Sequence, residues 1–264
     1  MKIGDKLLNR YVIKEELGRG AFGVVYLAHD SVTDISVAIK TIPEEVAREK
    51  SEIDEIRVNF KLIHKVSHPH IASVHNLEFD ESTGRYFLIM EYVKGDSLKD
   101  HRKSYPGRKI PFEKAVEIIS QIAEALDYAH KQSIIHRDVK PENIKIDSHG
   151  VIKVLDFGLA SEIRSSMGRM SKMVFDTSGT RPYMSPEQMM GKYQDAASDN
   201  YSLGVVFYEM VSGRVPFESG ADFQVMANAV CTVKPEALKE LSKQQNDVLL
   251  KMLSKKKEDR CGCA

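Results

Sequence analysis

The sequence contains no tryptophan and only three cysteines, Cys231, Cys261 and Cys263, among its 264 residues. Secreted domains that depend on disulfides carry a denser and usually even set of cysteines, so this count indicates free thiols in a reducing compartment. Cys261 and Cys263 lie close together but lack the second ligand pair of a zinc site. We therefore expect neither a disulfide framework nor a structural zinc ion.

Net charge and long apolar runs are also lacking. Lys and Arg together number 38, as do Asp and Glu, so the formal charge is zero. A nucleic-acid or membrane-surface binder would favour a basic excess. No apolar run approaches the roughly 20 residues that a membrane span needs, and the charged start is unlike a signal peptide. We expect a cytoplasmic domain with no membrane segment in this chain and no nucleic-acid partner.

The first third of the chain reads as strands around one helix. Short β-branched runs bounded by Gly, Asp or Ser predict strands at 11–17, 24–29, 36–42, 76–79 and 86–90. Between them the period changes, and an inward stripe at steps of three and four predicts a helix over 44–66. The stripe comprises Glu52, Ile56, Asn59, Ile63 and Val66.

The rest of the chain is mainly helical. A long amphipathic helix is predicted over 111–132, with Val116, Ile119, Ala123 and Leu126 inward, and shorter helices over 199–211, 223–229 and 243–253. Two short strands are expected at 144–146 and 152–154. Residues 160–180 are polar and aperiodic, and a loop of that length within a compact domain is usually functional.

The first chemical motif is the glycine series Gly18, Gly20 and Gly23. Glycine lets backbone amides approach a phosphate closely, but it also serves ordinary turns, so the motif alone leaves both readings open. A dinucleotide-binding loop would lead into a helix, whereas these glycines lie between two strand patterns. We therefore expect a hairpin over phosphates. Lys40 ends the next strand, where its ammonium group is suited to phosphate oxygens.

A second series, from His136 to Asn143, is more specific. Asp138 can accept a proton from an attacking hydroxyl, and Lys140 can neutralise charge on a transferred phosphoryl group. Asn143 offers an amide oxygen to a metal ion, and Asp156, followed by Phe and Gly, offers a carboxylate.

Four motifs now stand in order: the glycine series, the strand that ends at Lys40, the series 136–143 and the series that begins at Asp156. In this order and spacing they resemble the signature of Hanks-type serine/threonine protein kinases, from about residue 11 to residue 260. The resemblance implies an α+β, two-lobed fold. It has a small antiparallel-sheet N-lobe with one main helix over 1–92 and a larger helical C-lobe over 93–264. ATP would lie between the lobes. One more helix usually follows Arg260 in this family, so we expect the C-lobe to be truncated at its end.

The resemblance also assigns roles at the site. Lys40 would hold the α- and β-phosphates, Asp138 would act as catalytic base, and Asn143 and Asp156 would bind Mg²⁺, with Mn²⁺ as a substitute. Thr180 would bond to Asp138 and Lys140. The nucleotide would be held by the three glycines together with Val25, Ala38, Lys40, Met90, Glu91, Val93, Ser97 and Lys145.

Substrate class and regulation follow from the same resemblance. The sequence Lys140-Pro-Glu-Asn143 is typical of kinases that act on serine or threonine of proteins, and the sequence before Glu187 looks bacterial. Glu187 would pair with Arg260, and Asp199 would brace the catalytic loop. We also expect autophosphorylation at Thr177 and Ser178, carried out in trans within a homodimer.

Two positions depart from the family pattern. Asn59 stands where the family has a glutamate that pairs with Lys40, and an amide brings no charge to that bond. Glu52 or Glu55 could replace it, Lys40 could rely on Asp156 and phosphate, or both glutamates could be surface acids. Lys145 stands where an apolar residue usually packs under adenine, and we expect its ammonium to point outward. These departures support an alternative, a pseudokinase with weak or no activity.

Overall fold

The computed structural model describes residues 1–20, 23–157, 181–217 and 222–260. These residues form two compact units. The first, which we call the sheet unit, contains the described residues up to 94. The second, the helical unit, contains residues 95–157 and the described residues from 181 onward.

The sheet unit is built on one antiparallel sheet. Its strands are β1 (Lys6–Leu7), β2 (Tyr11–Gly20), β3 (Gly23–Asp30), β4 (Ile35–Thr41), β5 (Val74–Asp80) and β6 (Arg85–Glu91). They lie in the order β1-β2-β3-β4-β6-β5, and every neighbouring pair is antiparallel. The five strands predicted from the sequence are thus all present, each longer than predicted or shifted by a residue.

Alternation along the strands creates the core of this unit. Side chains two positions apart point to the same face of a sheet, so pairs such as Tyr11 with Ile13 and Val37 with Ile39 share one apolar layer. Tyr26, Ala28, Phe87 and Ile89 complete it, and all of them are buried. The layer fixes the register of β4, which carries Lys40.

The predicted helix over 44–66 is two helices, α1 (Glu44–Arg48) and α2 (Lys50–Ile63). They are separated at Glu49, whose backbone is extended with φ −91° and ψ 109°. The carbonyl of Glu49 accepts the amides of Glu52 and Ile53 and so begins a new helix. No proline or glycine marks position 49, so the apolar period alone could not reveal the break.

The helical unit contains a three-stranded antiparallel sheet and most of the helices. The strands are β7 (Asp96–Ser97), β8 (Ile144–Ile146) and β9 (Ile152–Val154), in the order β7-β8-β9. Its helices are α3 (Leu98–His101), α4 (Phe112–His130), α5 (Pro186–Met189), α6 (Ala196–Ser212), α7 (Phe223–Thr232) and α8 (Lys243–Met252). Single turns of 3-10 helix occur at Arg102–Ser104, Pro106–Arg108, Pro141–Asn143, Arg181–Tyr183 and Lys257–Asp259.

The inward face of α4 differs from the predicted one. Its buried side chains are Ala115, Ile118, Ile122, Ala125, Leu126 and Ala129. Val116, predicted to point inward, is 37% exposed, and Ile119 and Ala123 are only partly buried. The apolar arc of this helix is wide, and its contacts with α6 and β9 select one edge of it.

Helix α6 is buried on nearly all sides, including its polar residues Ser198, Asp199, Asn200 and Ser202. A helix that is buried all round forms the centre of its domain. Within the described part of the chain, no helix is both long and apolar enough to cross a bilayer.

Candidate active site

The catalytic loop that the sequence predicts at 136–143 lies in the helical unit and is closed around Asp138. This side chain is only 4% exposed. Its Oδ2 atom lies 2.9 Å from Lys140 Nζ and accepts a hydrogen bond of 2.9 Å from Asn143 Nδ2. Asn143 Nδ2 also donates to the carbonyl of Asp138 at 2.9 Å. One carboxylate is therefore oriented by a cation and an amide, both within five residues of it.

Asp199 braces this loop from α6, as predicted. Its Oδ2 accepts the backbone amide of His136 at 2.8 Å, and its Oδ1 accepts that of Arg137 at 2.8 Å. His130 Nε2 lies 2.8 Å from Oδ2 as well. Arg137 has φ 65°, a conformation that costs energy for a residue with a Cβ atom, and the bond to Asp199 helps to hold it.

His136 links the catalytic loop to the residues before Asp156. The amide of Asp138 donates to its Nδ1 at 3.1 Å, so Nε2 carries the proton and donates to the carbonyl of Leu155 at 2.8 Å. The His136 ring also contacts Phe157 edge to face, with 4.6 Å between centroids. Asp156 itself has φ 60°, a second strained position at this site.

Asn143 and Asp156 lie at the same end of the β8–β9 hairpin. Ile144 pairs with Val154, and the amide of Leu155 donates to the carbonyl of Asn143 at 2.8 Å. The two bonds from Asn143 Nδ2 to Asp138 turn the amide oxygen away from that carboxylate. One amide oxygen and one carboxylate fit Mg²⁺, which takes oxygen ligands and usually keeps phosphate and water oxygens in its shell.

The described residues contain no cluster of three or more His, Cys, Asp or Glu side chains suited to a metal ion.

The glycine series forms the tip of the β2–β3 hairpin. Gly18 pairs with Val25 and Gly20 with Gly23, so the chain turns back as a strand and does not enter a helix. Gly23 has φ 114°, and a Cβ atom there would lie 2.3 Å from the carbonyl oxygen of Thr41. Only glycine fits this position, and a dinucleotide-binding strand-to-helix loop is excluded.

Lys40 lies on β4, where its neighbours across the sheet are Val25 and Leu88. It is 6% exposed, unlike an ordinary lysine at a strand end. Ala38, two residues earlier, is buried opposite Met90 at the end of β6. The sheet therefore places the predicted adenine-side residues Val25, Ala38 and Met90 on three adjacent strands.

Glu91 and Val93 follow at the end of β6. Glu91 exchanges both backbone and side-chain bonds with Ser73, since its amide donates to Ser73 O at 2.8 Å and its Oε2 accepts Ser73 N at 3.0 Å. Val93 is half-buried. These contacts fix the segment that the resemblance assigns to adenine.

Ser97 and Lys145 lie side by side on β7 and β8. The Ser97 hydroxyl caps α3, because it accepts the amide of Asp100 at 3.1 Å and donates to Asp100 Oδ2 at 2.6 Å. Lys145 Nζ donates to the carbonyl of Gly95 at 2.9 Å. The ammonium is thus tied back to the chain at an exposed contact, which agrees with the predicted outward direction.

The two glutamates of α2 that could replace the missing one, Glu52 and Glu55, differ in burial. Asn59 is half-buried, Glu52 is 9% exposed, and Glu55 is exposed. The interpretation that both glutamates are surface acids is therefore wrong for Glu52. Glu52 precedes Asn59 by seven residues, about two helical turns, and so shares its face of the helix.

Glu187 and Arg260 form the predicted ion pair, with Arg260 NH1 2.7 Å from Oε1 and NH2 2.9 Å from Oε2. Ser198 Oγ also donates to Oε1 at 2.6 Å. Burial raises the pKa of Glu187, but the bonds from Arg260 and Ser198 outweigh it and lower the pKa to about 2. The pair fixes the start of α5 against the far end of the described chain.

Other side chains join the site without having been predicted. Gln188 donates from Nε2 to the carbonyl of Arg137 at 2.9 Å, and His130 contacts Asp199. The spacing of Ser185 and Gln188 is the pattern of a capping box, a signal that the sequence does carry. Nothing in a single sequence links Gln188 to Arg137, 51 positions earlier. Three predicted residues, Thr177, Ser178 and Thr180, lie outside the described residues.

The histidines of the sheet unit have structural contacts. His64 Nδ1 lies 3.0 Å from the carbonyl of Val74, and the amide of His70 donates to His68 Nδ1 at 3.2 Å. These bonds support the turn between α2 and β5.

Comparison with known proteins places the chain in a family. The profile of the family described as "Protein kinase domain" matches residues 11–264. A probable serine/threonine-protein kinase of Clostridium acetobutylicum is 34% identical over 98% of this chain. The serine/threonine-protein kinases PrkC of Bacillus subtilis and PknB of Mycobacterium tuberculosis are 36% and 37% identical over 90% and 98% of the chain. The matches cover 39%, 36% and 42% of these relatives, so the chain spans about two fifths of their length.

The crystal structure of a mutant of the Mycobacterium tuberculosis PknI kinase domain matches with a TM-score of 0.75. It covers all of this chain and 94% of that one at 24% identity, a likeness that shows the fold alone. The predicted α+β kinase fold is thereby confirmed. Together with the profile match and the identity to bacterial serine/threonine-protein kinases, these findings show that the chain belongs to the protein kinase family, in its serine/threonine class.

Proposed function

We propose that this domain transfers the γ-phosphoryl group of ATP to serine or threonine hydroxyls of proteins, with Mg²⁺ as cofactor and Mn²⁺ as a substitute. The closed contacts of Asp138 with Lys140 and Asn143 carry the proposal. They orient one oxygen of the Asp138 carboxylate. We propose that residues 1–264 act as one kinase domain, with residues 1–92 and 93–264 as its lobes.

Asp138 and Lys140 divide the work at the acceptor hydroxyl. Asp138 accepts the proton as the hydroxyl oxygen forms a bond to the γ-phosphorus, the bond from that phosphorus to the β,γ-bridging oxygen breaks, and ADP leaves. Lys140 remains a cation beside it and stabilises the negative charge on the phosphoryl oxygens. The chemistry needs little more than this positioning and charge, which is the general pattern of phosphoryl transfer.

The nucleotide would be held by the residues that the family resemblance assigns to it. Backbone amides at Gly18, Gly20 and Gly23 would approach the phosphates, and Lys40 would pair with the α- and β-phosphates. Asn143 and Asp156 would hold the metal ion, which supplies positive charge at the β- and γ-phosphates. The base would be placed by Val25, Ala38, Met90, Glu91, Val93, Ser97 and Lys145, and the acceptor side by Thr180.

Regulation belongs to the same proposal. Arg137 precedes the catalytic aspartate, and a phosphate adds roughly −1.5 to −2 charge that an arginine can pair with. Autophosphorylation at Thr177 or Ser178, in trans within a homodimer, would then supply a phosphate for Arg137 to pair with. We further propose that this activity is cytoplasmic.

The test is transfer of labelled phosphate from ATP and Mg²⁺ to the protein itself and to a generic basic protein. Wild type and Asp138→Asn are compared, with phosphoamino-acid analysis of the product. We expect phosphoserine or phosphothreonine from wild type, and a rate lower by about 10²–10⁴ in the variant, the usual contribution of a general base.

ADP binding and the melting temperature serve as controls, because the variant should retain both. A wild type that binds ADP and melts cooperatively but transfers no phosphate to either acceptor would overturn the proposal. Equal transfer by both proteins would remove Asp138 from its role.

A further inference from the structure

Gln188 belongs to a capping box at the start of α5. Its side-chain oxygen Oε1 accepts hydrogen bonds from the backbone amide of Ser185 at 2.9 Å and from the Ser185 hydroxyl at 3.1 Å. The backbone amide of Gln188 donates to Ser185 Oγ at 3.4 Å. In an ordinary capping box the side chain at this position bonds only to the N-cap residue. Here the side-chain nitrogen Nε2 of Gln188 makes further hydrogen bonds.

Gln188 Nε2 donates to the carbonyl of Arg137 at 2.9 Å, with a weaker bond to Gln194 Oε1 at 3.4 Å. Arg137 is the strained residue of the catalytic loop, with φ 65°. Its amide is bound by Asp199 Oδ1 at 2.8 Å. Two side chains therefore hold the two polar backbone groups of one strained residue, one from α6 and one from α5.

The carbonyl of Arg137 is part of the peptide bond to Asp138. A bond at this oxygen fixes the plane of that peptide, and hence the direction from which the Asp138 side chain leaves the backbone. A reacting group misplaced by about 1 Å can lose about 10² in rate. Any movement of α5 would be transmitted to Asp138 through this contact.

We propose that Gln188 is a positioning residue that holds Asp138 in its reactive direction by donating a hydrogen bond to the carbonyl of Arg137. The inference rests on the proposed function, since it assigns Gln188 to the same reaction. It links helix α5 mechanically to the catalytic loop.

The substitution Gln188→Glu separates the two roles of this side chain. A glutamate keeps the oxygen that accepts the Ser185 amide, so the helix cap is retained. It loses the donor and places a carboxylate against the carbonyl of Arg137. Protonation of that glutamate restores an O–H donor, so the defect should diminish as the pH falls. Gln188→Met removes the donor permanently and should give a defect that does not vary with pH.

Gln245 offers a matched control. It occupies the same position of a capping box on α8. Its side-chain Oε1 accepts the backbone amide of Ser242 at 2.8 Å, and its backbone amide donates to Ser242 Oγ at 3.3 Å. Gln245→Glu therefore makes the same chemical change in the same local setting, away from the catalytic loop.

The experiment measures kcat and the KM for ATP of the four proteins between pH 5.5 and pH 8, each expressed relative to wild type. Asp138, Glu187, Asp199 and Arg260 are present in all of them, so the ratio removes the pH dependence that the variants share with wild type. We expect Gln188→Glu to lower kcat about tenfold at pH 8, the cost of one lost bond, with KM unchanged. The ratio should rise toward acid pH for this variant alone.

Hydrogen exchange of the amides at 136–138 gives a readout that needs no activity. It should be faster in Gln188→Glu and Gln188→Met than in wild type and Gln245→Glu. If exchange is unchanged, or if the defect of Gln188→Glu equals that of Gln245→Glu, the inference is wrong. A wild type without phosphate transfer would instead defeat the proposed function, and the exchange result would still decide whether Gln188 holds the loop.

Discussion

The two units of the molecule place their charges differently. In the helical unit the ion pairs Arg260–Glu187 and Arg102–Glu209 are buried, with no side chain more than 13% exposed. In the sheet unit the pairs Arg85–Glu44 and Arg57–Asp54 are close to half exposed, and in the pair Arg10–Asp30 only the carboxylate is buried. The cation of each of these three pairs is at least 34% exposed, whereas both partners of the two helical pairs are enclosed.

This difference has a functional meaning. A buried charge is tolerated only when hydrogen bonds and an opposite charge surround it, so each buried pair specifies one geometry. The proposed catalytic carboxylate Asp138 and its brace Asp199 lie among such groups. In the sheet unit, the proposed site residue Lys40 is buried, and the three glycines have no side chains. The side-chain contacts that orient Asp138 lie within the helical unit.

Substitution of the buried pair should have the largest effect. Arg260→Leu leaves Glu187 buried without its cation, and removal of one partner of a buried pair costs about 3–5 kcal/mol of unfolding free energy. Arg85→Leu breaks an exposed pair of the sheet unit and should cost about 1 kcal/mol or less. Thermal and urea unfolding of both variants measures the difference. Equal losses would abolish the contrast between the units.

The pH dependence sharpens this prediction. The pKa of Glu187 in the folded protein, about 2, lies below its ordinary value near 4.5. Its contribution to stability is therefore complete above the ordinary pKa and is lost as the pH falls through the folded value. Without Arg260, Glu187 loses the strongest bond that lowers its pKa while the raising effect of burial remains, so its folded pKa is higher and less stability is lost in acid. The gap in stability between wild type and Arg260→Leu should narrow from pH 7 to pH 3. A constant gap would contradict this account.

Local patterns predicted the elements well where one rule applied. Strands β8 and β9 occur at the predicted residues, because alternating apolar residues between turns leave one solution. On the inward face of α4, Leu126 was right and the other three predicted residues were wrong by one position, because the wide apolar arc is rich in alanine and isoleucine on both of its edges. The break at Glu49 was missed, since the extended backbone there follows from packing and not from residue type.

Long-range contacts were predictable only where the family resemblance supplied them. Asp199 with the catalytic loop and Glu187 with Arg260 were expected on that ground. The pair Arg102–Glu209 and the bond from Gln188 to Arg137 were not, because one sequence records no pairing between distant positions. The capping box of α5 was readable, but its second bond depends on how α5 lies against the loop.

The next effect tests the buried charges of the sheet unit. If Glu52 supplies the negative charge that Asn59 lacks, Glu52→Gln should lower kcat/KM for ATP about tenfold, the value of one charge-assisted bond. Glu55→Gln, on an exposed position of the same helix, is the matched control and should remain within about twofold of wild type, as surface substitutions usually do. Transfer assays at varied ATP concentration measure both.

Adding Asn59→Glu to Glu52→Gln should restore kcat/KM for ATP, since it returns a carboxylate to the helix face shared by the two positions. If Glu52→Gln has no effect and Asn59→Glu improves nothing, Lys40 relies on Asp156 and phosphate. The sheet unit would then position its lysine without any carboxylate from α2, and the contrast between the units would be stronger still.

The smallest effect is expected at Lys145, where the helical unit contributes an exposed polar contact. Lys145→Leu removes the bond to the carbonyl of Gly95 and keeps an apolar stem on β8. The bend at Gly95 should survive, because β7 still pairs with β8 and a Cβ atom at Gly95 would clash with Ile146. Leucine resembles the apolar residue that the family places there, so ADP should bind about threefold more tightly or unchanged, since one small apolar change in a pocket is worth little. A loss of tenfold or more in calorimetric titration would instead mean that the ammonium group itself contacts the nucleotide. The helical unit would then use a partly exposed charge at the nucleotide, whereas its carboxylate Asp138 is buried.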